Sequence, residues 1–554
     1  MKYRGSDTEL RLLYGGEIMN EALLLIGMVI VICIMMNRFL EKIPVPSLLI
    51  FIALGMLFGE NGLFRITFDD YAAVNLICSA SLICIMFYGG FGTNLQAARP
   101  VIAKSAVLST FGVVGTAALV GVFSHFALKL GWQESMLIGA VISSTDAASV
   151  FNILRNKKLA LKNHTDSLLE VESGSNDPVS YMLTSAMIAV MSGSRVSIPL
   201  LVTGQIAFGI LGGILIGKLA VWLLSGNLFT SQHARTVFLF GIMILSYALP
   251  AAVNGNGYLS AYLCGILLGN SRLSQKKYLV HFFDVLTNVA QVIIFFLLGL
   301  LVTPARLPAV LLPALAVMTF LTVAARPLVS AFLLLPFRTT LREIGVVSWA
   351  GLRGAASIVF AISAVLSGVS TKYNIFNLVF CIVIFSISLQ GSLLPLISRR
   401  LSMIDRNSDV NKTFTDYDDE IDVDLIKIHL NDGHPWCGCT LSRLSLPHDL
   451  LVVMIDRDGT TVIPNGNTEL VVGDLLVIAA RRFEEGENIR FYETAVGKNH
   501  KLAGVALSEV KNAPDKLIVL IKRGSETIIP DGGTVILKGD ILVMIQSSQE
   551  KIRM

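Results

Sequence analysis

Thirteen apolar runs occupy most of the first 400 positions, near 21–37, 46–59, 72–90, 101–128, 134–154, 165–191, 198–224, 234–253, 257–270, 279–303, 308–335, 343–367 and 374–398. A bilayer offers backbone N–H and C=O groups no water, so runs of this length dictate membrane-spanning helices. Two of them, 46–59 and 257–270, are short and read as broken or tilted spans. Charge is correspondingly scarce, at 15% of residues against about 25% in a soluble chain. It is also divided: residues 1–401 sum to +11 and residues 402–554 to −7. A nucleic-acid binder, a disulfide scaffold and a single soluble globule are excluded. The expected fold is an all-α polytopic membrane domain of about 13 helices with a small acidic α/β tail.

Lysine and arginine orient the bundle. One set of connections holds sixteen of them, among them Arg38, Lys42, Arg155, Lys157, Lys158, Lys162, Arg399 and Arg400. The opposite set holds five: Arg65, Lys129, Arg195, Arg306 and Lys372. The first set and the tail are placed in the cytoplasm, which leaves the N-terminus outside. Residues 1–18 read as an extension rather than a cleaved leader, and Met19 is an alternative start. Five cysteines lie in apolar runs and pack as small hydrophobes. Cys437 and Cys439, with His434 and His448 nearby, fall short of a metal-site pattern.

Beyond an acidic linker at 402–423 the chain repeats itself. At an offset of 66, residues 438–478 align without gaps to 504–544 with 17 identities in 41 positions. Leu441-Ser442 returns as Leu507-Ser508, Arg457 as Arg523, and Gly473-Asp474 as Gly539-Asp540. Between these turn signals lie β-branched runs at Leu451–Ile455, Leu475–Ile478, Leu517–Ile521 and Ile541–Ile545. The expectation is two tandem units, 424–485 and 486–554, after a membrane domain at 19–401.

Carboxylates in the spans point to the chemistry. An acid at mid-membrane depth costs roughly 2.5–3.5 kcal/mol, so it faces protein or water and marks function by default. The fifth run reads I-S-S-T-D-A-A-S-V-F, with Thr145 and Asp146 inside it. The sixth reads E-V-E-S-G-S-N-D-P, with Glu170, Glu172, Ser173, Asn176 and Asp177. On a helix Ser173 and Asp177 share one face, while Glu172 and Asn176 form the adjacent stripe. Pro178 leaves the Gly174 carbonyl without its helical donor. The hydroxyl-rich fifth run is expected to unwind near Thr145. Oxygen atoms freed in this way suit a partly dehydrated monovalent cation. Arg353, buried in G-L-R-G, needs an anion, and Glu172 is the partner expected to brace it. Lys218 and Arg326 lie in runs with no evident reason to reach the site. Asp146 and Asp177 are then left without a fixed countercharge. Such a group binds a proton or a cation, not both, and that competition is itself a mechanism of exchange.

These residues resemble the monovalent cation/proton antiporter superfamily, in particular its electroneutral bacterial branch. The motifs are S-S-T-D-A-A-S-V-F (143–151), E-S-G-S-N-D-P (172–178) and G-L-R-G-A-A-S-I-V-F (351–360). The run H-F-F-D-V-L-T-N-V-A-Q-V-I-I-F-F-L-L-G-L-L-V-T-P (281–304) looks like the potassium/proton subgroup, and the tail's I-P-x-G-x-T…G-D pattern looks like the RCK-C (TrkA-C) regulatory domain. The resemblance implies inverted repeats, crossed unwound helices, alternating access and a homodimer in the bacterial inner membrane. It makes Asp177 the carrier that alternates between proton and cation. Thr145, Asp146, Ser173 and Asn176 complete the ion site, and Glu172 with Arg353 form the structural pair. Asn176 stands where electrogenic relatives have a second aspartate, so exchange should be one for one.

One position departs from the pattern: Tyr88, before Gly89-Gly90, occupies a place often acidic in relatives. No G-x-G-x-x-G follows the last span, so NAD(H) or ATP sensing is not expected. No enzymatic activity or resident cofactor is implied, and the regulatory ligand suggested for the tail by analogy is a cyclic dinucleotide. The chain is thus read as exchanging K⁺ for H⁺, with Na⁺ or Li⁺ the alternative ions. A regulated cation channel and a non-transporting sensor are the competing classes; no T-V-G-Y-G-like filter is present for the first.

Overall fold

In the computed structural model the described residues are Gly27, Val31, Met35, 47–60, 62, 63, 65, 70–157, 159–194, 196–225, 231–271, 273, 276–405, 423–432, 434–444, 446, 450–457, 460–481, 489–497, 502–509, 516–523, 526–528, 530 and 532–547. The N-terminal extension, Met19, most of the first apolar run, His448 and most of the acidic linker lie outside them. The chain divides into two compact units, 1–417 and 418–554.

The first unit is helical. Among the described residues seven helices are long and apolar enough to cross a membrane: α2 (Tyr71–Gly92), α3 (Ile102–Leu128), α7 (Ile198–Ser225), α8 (Gln232–Ala252), a span within α10 (Lys276–Leu301), α11 (Pro308–Phe337) and α14 (Ile375–Arg400). Shorter apolar helices are α1 (Ser47–Phe58), α9 (Gly257–Gly269) and α13 (Ala355–Leu366). The remaining long helix, α6 (Thr165–Met191), carries the E-V-E-S-G-S-N-D-P run. The fifth and twelfth runs each split in two. The fifth gives α4 (Trp132–Val141) and α5 (Ala147–Asn156), and the twelfth gives α12 (Leu341–Trp349) and α13.

Two groups of helices can be told apart by their packing, and one large apolar cluster draws buried residues from both, among them Phe51 and Phe295 from the first and Leu137 and Phe376 from the second. In one, α1 lies on α10, and α2 lies on α9 and α10. Glycine makes these approaches possible: a Cβ on Gly265 would stand 2.2 Å from the Phe87 carbonyl oxygen, and one on Gly55 2.2 Å from that of Phe296. In the other, α3 packs on α4, α4 on α6, and α14 on both α11 and α13. Among the described residues three long helices carry a π-helical turn: Leu108–Gly112, Leu321–Ala325 and Ser386–Gly391. Such a turn rotates the following side chains and frees backbone groups.

The second unit holds two four-stranded antiparallel sheets. The first, from β3 (Val423–His429), β4 (Leu450–Arg457), β5 (Thr460–Val462) and β6 (Leu475–Arg481), has the order β3-β6-β4-β5. The second, from β7 (Ile489–Ala495), β8 (Lys516–Arg523), β9 (Glu526–Ile528) and β10 (Ile541–Ser547), has the order β7-β10-β8-β9. Every strand of one falls at the 66-residue offset in the other, so the repeat extends well beyond the 41 aligned positions. The expected α/β character reduces, among the described residues, to one 3₁₀ turn per unit: Leu441–Arg443 and Leu507–Glu509. Gly473 (φ 92°) and Gly539 (φ 95°) make the same left-handed turn before their aspartates, which is why the G-D pair recurs. Cys437 and Cys439 are free thiols, and no three metal-ligating side chains converge among the described residues.

Candidate ion-binding site

The site forms where the two split helices cross. Residues 142–146 leave the helix because their own side chains take its hydrogen bonds: Ser143 Oγ donates to the Ala140 carbonyl at 2.7 Å. Asp146 then begins α5 as its cap, accepting from Ser149 N at 3.2 Å and from Ser149 Oγ at 2.5 Å. Residues 350–354, A-G-L-R-G, are equally non-helical. The two unwound stretches meet directly, with Asp146 N donating to the Leu352 carbonyl at 2.8 Å. Gly354 permits this approach; a Cβ there would lie 2.3 Å from Asp146 Oδ2.

The third wall is α6, which runs unbroken through Pro178. Asn256 Nδ2 donates to the Pro178 carbonyl at 2.8 Å, and the bare face of Gly174 lies against the Tyr262 ring. From α6, Ser173 Oγ donates to the Thr145 carbonyl at 2.5 Å. Asn176 grips Thr145 twice: Nδ2 donates to its hydroxyl, and Oδ1 accepts from its N–H at 3.3 Å. Asp177 accepts from Ser144 Oγ. Thr145, Asp146, Ser173, Asn176 and Asp177 therefore sit within one cluster. Ser144 belongs to it as well; the sequence reading passed over it, although it lies inside the S-S-T-D motif.

The ion pair differs from expectation. Glu172 pairs with Arg326, both buried and 154 positions apart, instead of with Arg353. The cause is the π-helical turn Leu321–Ala325, which immediately precedes Arg326 and aims it inward. Arg353 instead donates from Nη1 to the Ser144 carbonyl at 2.7 Å, while its own N–H is held by Ser386 Oγ at 3.0 Å. Arg353 thus fixes the backbone of one unwound stretch from within the other. Its Nε and Nη2 have no hydrogen-bond partner among the described residues.

A cavity of ≈ 150 Å³ reaches this cluster. Among the described residues its lining contains four carboxylates, Asp146, Glu170, Asp177 and Asp284, and no lysine, arginine or histidine. Asp284, on α10, was not singled out in the sequence. Its Oδ1 accepts from Tyr88 Oη at 3.1 Å and its Oδ2 from Asn288 at 3.3 Å. Tyr88 supplies no carboxylate of its own, but it holds one that arrives from another helix.

The fold and this carboxylate-bearing cavity at the crossing of two unwound helices define a monovalent cation/proton antiporter, a transporter rather than an enzyme. A sequence model described as sodium/hydrogen exchanger, transmembrane, matches residues 27–400, and the TrkA-C domain matches 425–482 and 491–552. The chain belongs to the sodium/hydrogen exchanger family. It is 33% identical over 472 residues to the K(+)/H(+) antiporter NhaP of Alkalimonas amylolytica, covering 84% of this chain and 82% of that one. It is 32% identical over 471 residues to the K(+)/H(+) antiporter NhaP2 of Shewanella sp. (strain ANA-3), covering 83% and 81%. Among solved structures, the sodium proton antiporter MjNhaP1 of Methanocaldococcus jannaschii at pH 8 matches with a TM-score of 0.62 at 22% identity, over 69% of this chain and 99% of that one.

Proposed function

We propose that the protein exchanges K⁺ for H⁺ one for one by alternating access, with Asp177 as the shared carrier. One observation carries the reading: Asp177 is buried at the helix crossing, hydrogen-bonded to Ser144 and, among the described residues, engaged in no ion pair. Its charge must be met by whatever enters, a proton or a cation. Thr145, Asp146, Ser173 and Asn176 supply the remaining oxygens, and Glu172 with Arg326 brace α6 against α11. With a single exchangeable carboxylate beside Asn176, each cycle moves one charge each way. The choice of K⁺ follows the names of the two relatives; the site itself offers only oxygen ligands, which suit Na⁺ equally.

The same reading places the N-terminus outside, the tail in the cytoplasm and two copies in a homodimer. It assigns transport to residues 19–401 and regulation to the units at 424–485 and 486–554, joined by the linker 402–423. A regulatory nucleotide is not part of it.

The test follows dissipation of a preformed pH gradient in inside-out vesicles from a strain without its own antiporters. Adding K⁺ should collapse the gradient in wild type and leave it intact in Asp177→Asn. A response to Na⁺ alone would keep the mechanism and overturn the ion. Proton-independent cation flux would favour a channel, and no response to any cation a sensor.

A further inference from the structure

The residues that leave the last span do not run straight out to the tail. Ser402 adopts φ 58°, and Met403 N turns back to the Ser398 carbonyl at 3.0 Å. The chain then forms β2 (Ile404–Asp405), antiparallel to β1 (Ala160–Leu161), with Leu161 opposite Ile404 and Ala160 opposite Asp405. Lys162 adds two bonds, from its N–H to the Met403 carbonyl at 2.8 Å and from Nζ to the Ser402 carbonyl at 3.1 Å.

This short pair lies at a critical place. β1 sits in the connection between α5, whose first residue follows Asp146, and α6, which carries Ser173, Asn176 and Asp177. The pair is packed as well as hydrogen-bonded. Leu159, Leu161 and Met403 are buried in one cluster with Leu154 near the end of α5 and Leu168 near the start of α6. Leu401 lies against Gly345 of α12, where a Cβ would meet its Cδ1 at 2.9 Å. The exit of the membrane domain thus touches both helices of the site connection and one half of the other split helix. Such a cluster is close-packed and passes displacement on rather than absorbing it.

We propose that the β1–β2 pair is the element through which the tail acts on transport: a pull on the chain after Asp405 displaces the adjoining ends of α5 and α6, and with them the cation oxygens. This inference rests on the reading of the tail as regulatory. It names the site of action, not the signal.

The experiment combines two lesions in the full-length chain and reads the K⁺ concentration for half-maximal exchange in vesicles. Asp405→Pro removes a backbone donor from β2. Arg457→Ala with Arg523→Ala strips both tail sheets of the arginines on their buried aspartates. Each lesion should shift half-saturation in the same direction and to within about two-fold of the other, and the two together should add nothing, as expected of groups acting in series. Lys162→Ala, a milder lesion with the backbone intact, should shift it the same way by less. A tail lesion that shifts the value while Asp405→Pro and Lys162→Ala both keep the wild-type one would overturn the inference and leave a regulatory tail. A tail lesion without effect would remove the regulatory reading and the inference together. Loss of all exchange in Asp405→Pro, with Lys162→Ala unchanged, would make the pair a plain structural tie and overturn the inference.

Discussion

In the tail, Asp474 accepts from Arg457 Nε at 2.7 Å, from Arg457 Nη2 at 2.8 Å and from Val471 N at 3.0 Å. Asp540 repeats the arrangement with Arg523 at 2.9 and 2.8 Å and Leu537 N at 2.8 Å. Asp177, buried as they are, receives a single bond from Ser144 and, among the described residues, no ion pair. A carboxylate saturated by a two-pronged guanidinium is locked in its charged form and holds a fold. A buried carboxylate with unfilled acceptor capacity beside a cavity can take up a cation or a proton, which is the role proposed for Asp177. Asp146 stands between them, since it caps α5 and lines the cavity at once.

The contrast can be broken at several points. Asp177→Asn should abolish cation-dependent proton movement while leaving the protein folded in the membrane, as judged by size-exclusion chromatography in detergent. Asp474→Asn should do the reverse, loosening the first tail sheet without removing exchange. If the two exchanged phenotypes, the distinction would fail.

Next in size are the arginines. Truncating Arg326 to Met strands the Glu172 charge and should cost about 3–5 kcal/mol. Replacing both Glu172 and Arg326 by apolar residues should recover much of that loss. A double-mutant cycle on thermal stability should give a larger coupling for Glu172 with Arg326 than for Glu172 with Arg353.

Gly354→Ala puts a methyl group into the Asp146 carboxylate and should cost about 1–3 kcal/mol. It should also weaken cation affinity more than maximal rate, because the crossing must open to admit the methyl.

The smallest effects on exchange belong to the tail, where the lesions read as local stability. Arg457→Ala leaves Asp474 buried and unpaired; with the arginine itself about a third exposed, the loss should be about 2 kcal/mol, read by hydrogen exchange in β4 and β6. Hydrogen bonding from Arg457 and Arg523 holds the Asp474 and Asp540 carboxyls below their ordinary value. A group lowered in the folded state stabilises above its unfolded value, near pH 4, and loses that contribution as pH falls through the folded value. Tail protection should therefore stay flat from neutral pH down to roughly pH 5 and decline only below about pH 4, whatever the pH profile of exchange. Protection that tracked the exchange profile would erase the difference between the two classes of aspartate.

Much of this was legible because it is local. Apolar runs set the helices, S-S-T-D marked one of the two breaks, and the offset of 66 announced the twin sheets, whereas the break at G-L-R-G was read only as the place of a buried arginine. A hydroxyl that caps its own helix end, or a glycine before an aspartate, acts within a few residues and leaves a pattern in the chain. Arg326 looked remote from the site for the opposite reason, since nothing in R-P-L-V announces a π-helical turn upstream or a partner 154 positions away. The Tyr88–Asp284 bond, at a separation of 196, and the pairing of 160–161 with 404–405 share that character. The sequence by itself determined which segments form apolar helices, where the fifth of them unwinds and that the tail is a repeat, because backbone satisfaction and turn chemistry are short-range. Only the tertiary structure decided which arginine answers Glu172, how a tyrosine comes to hold a carboxylate, and where the exit chain grips the site connection, because packing selects those partners among many that composition allows.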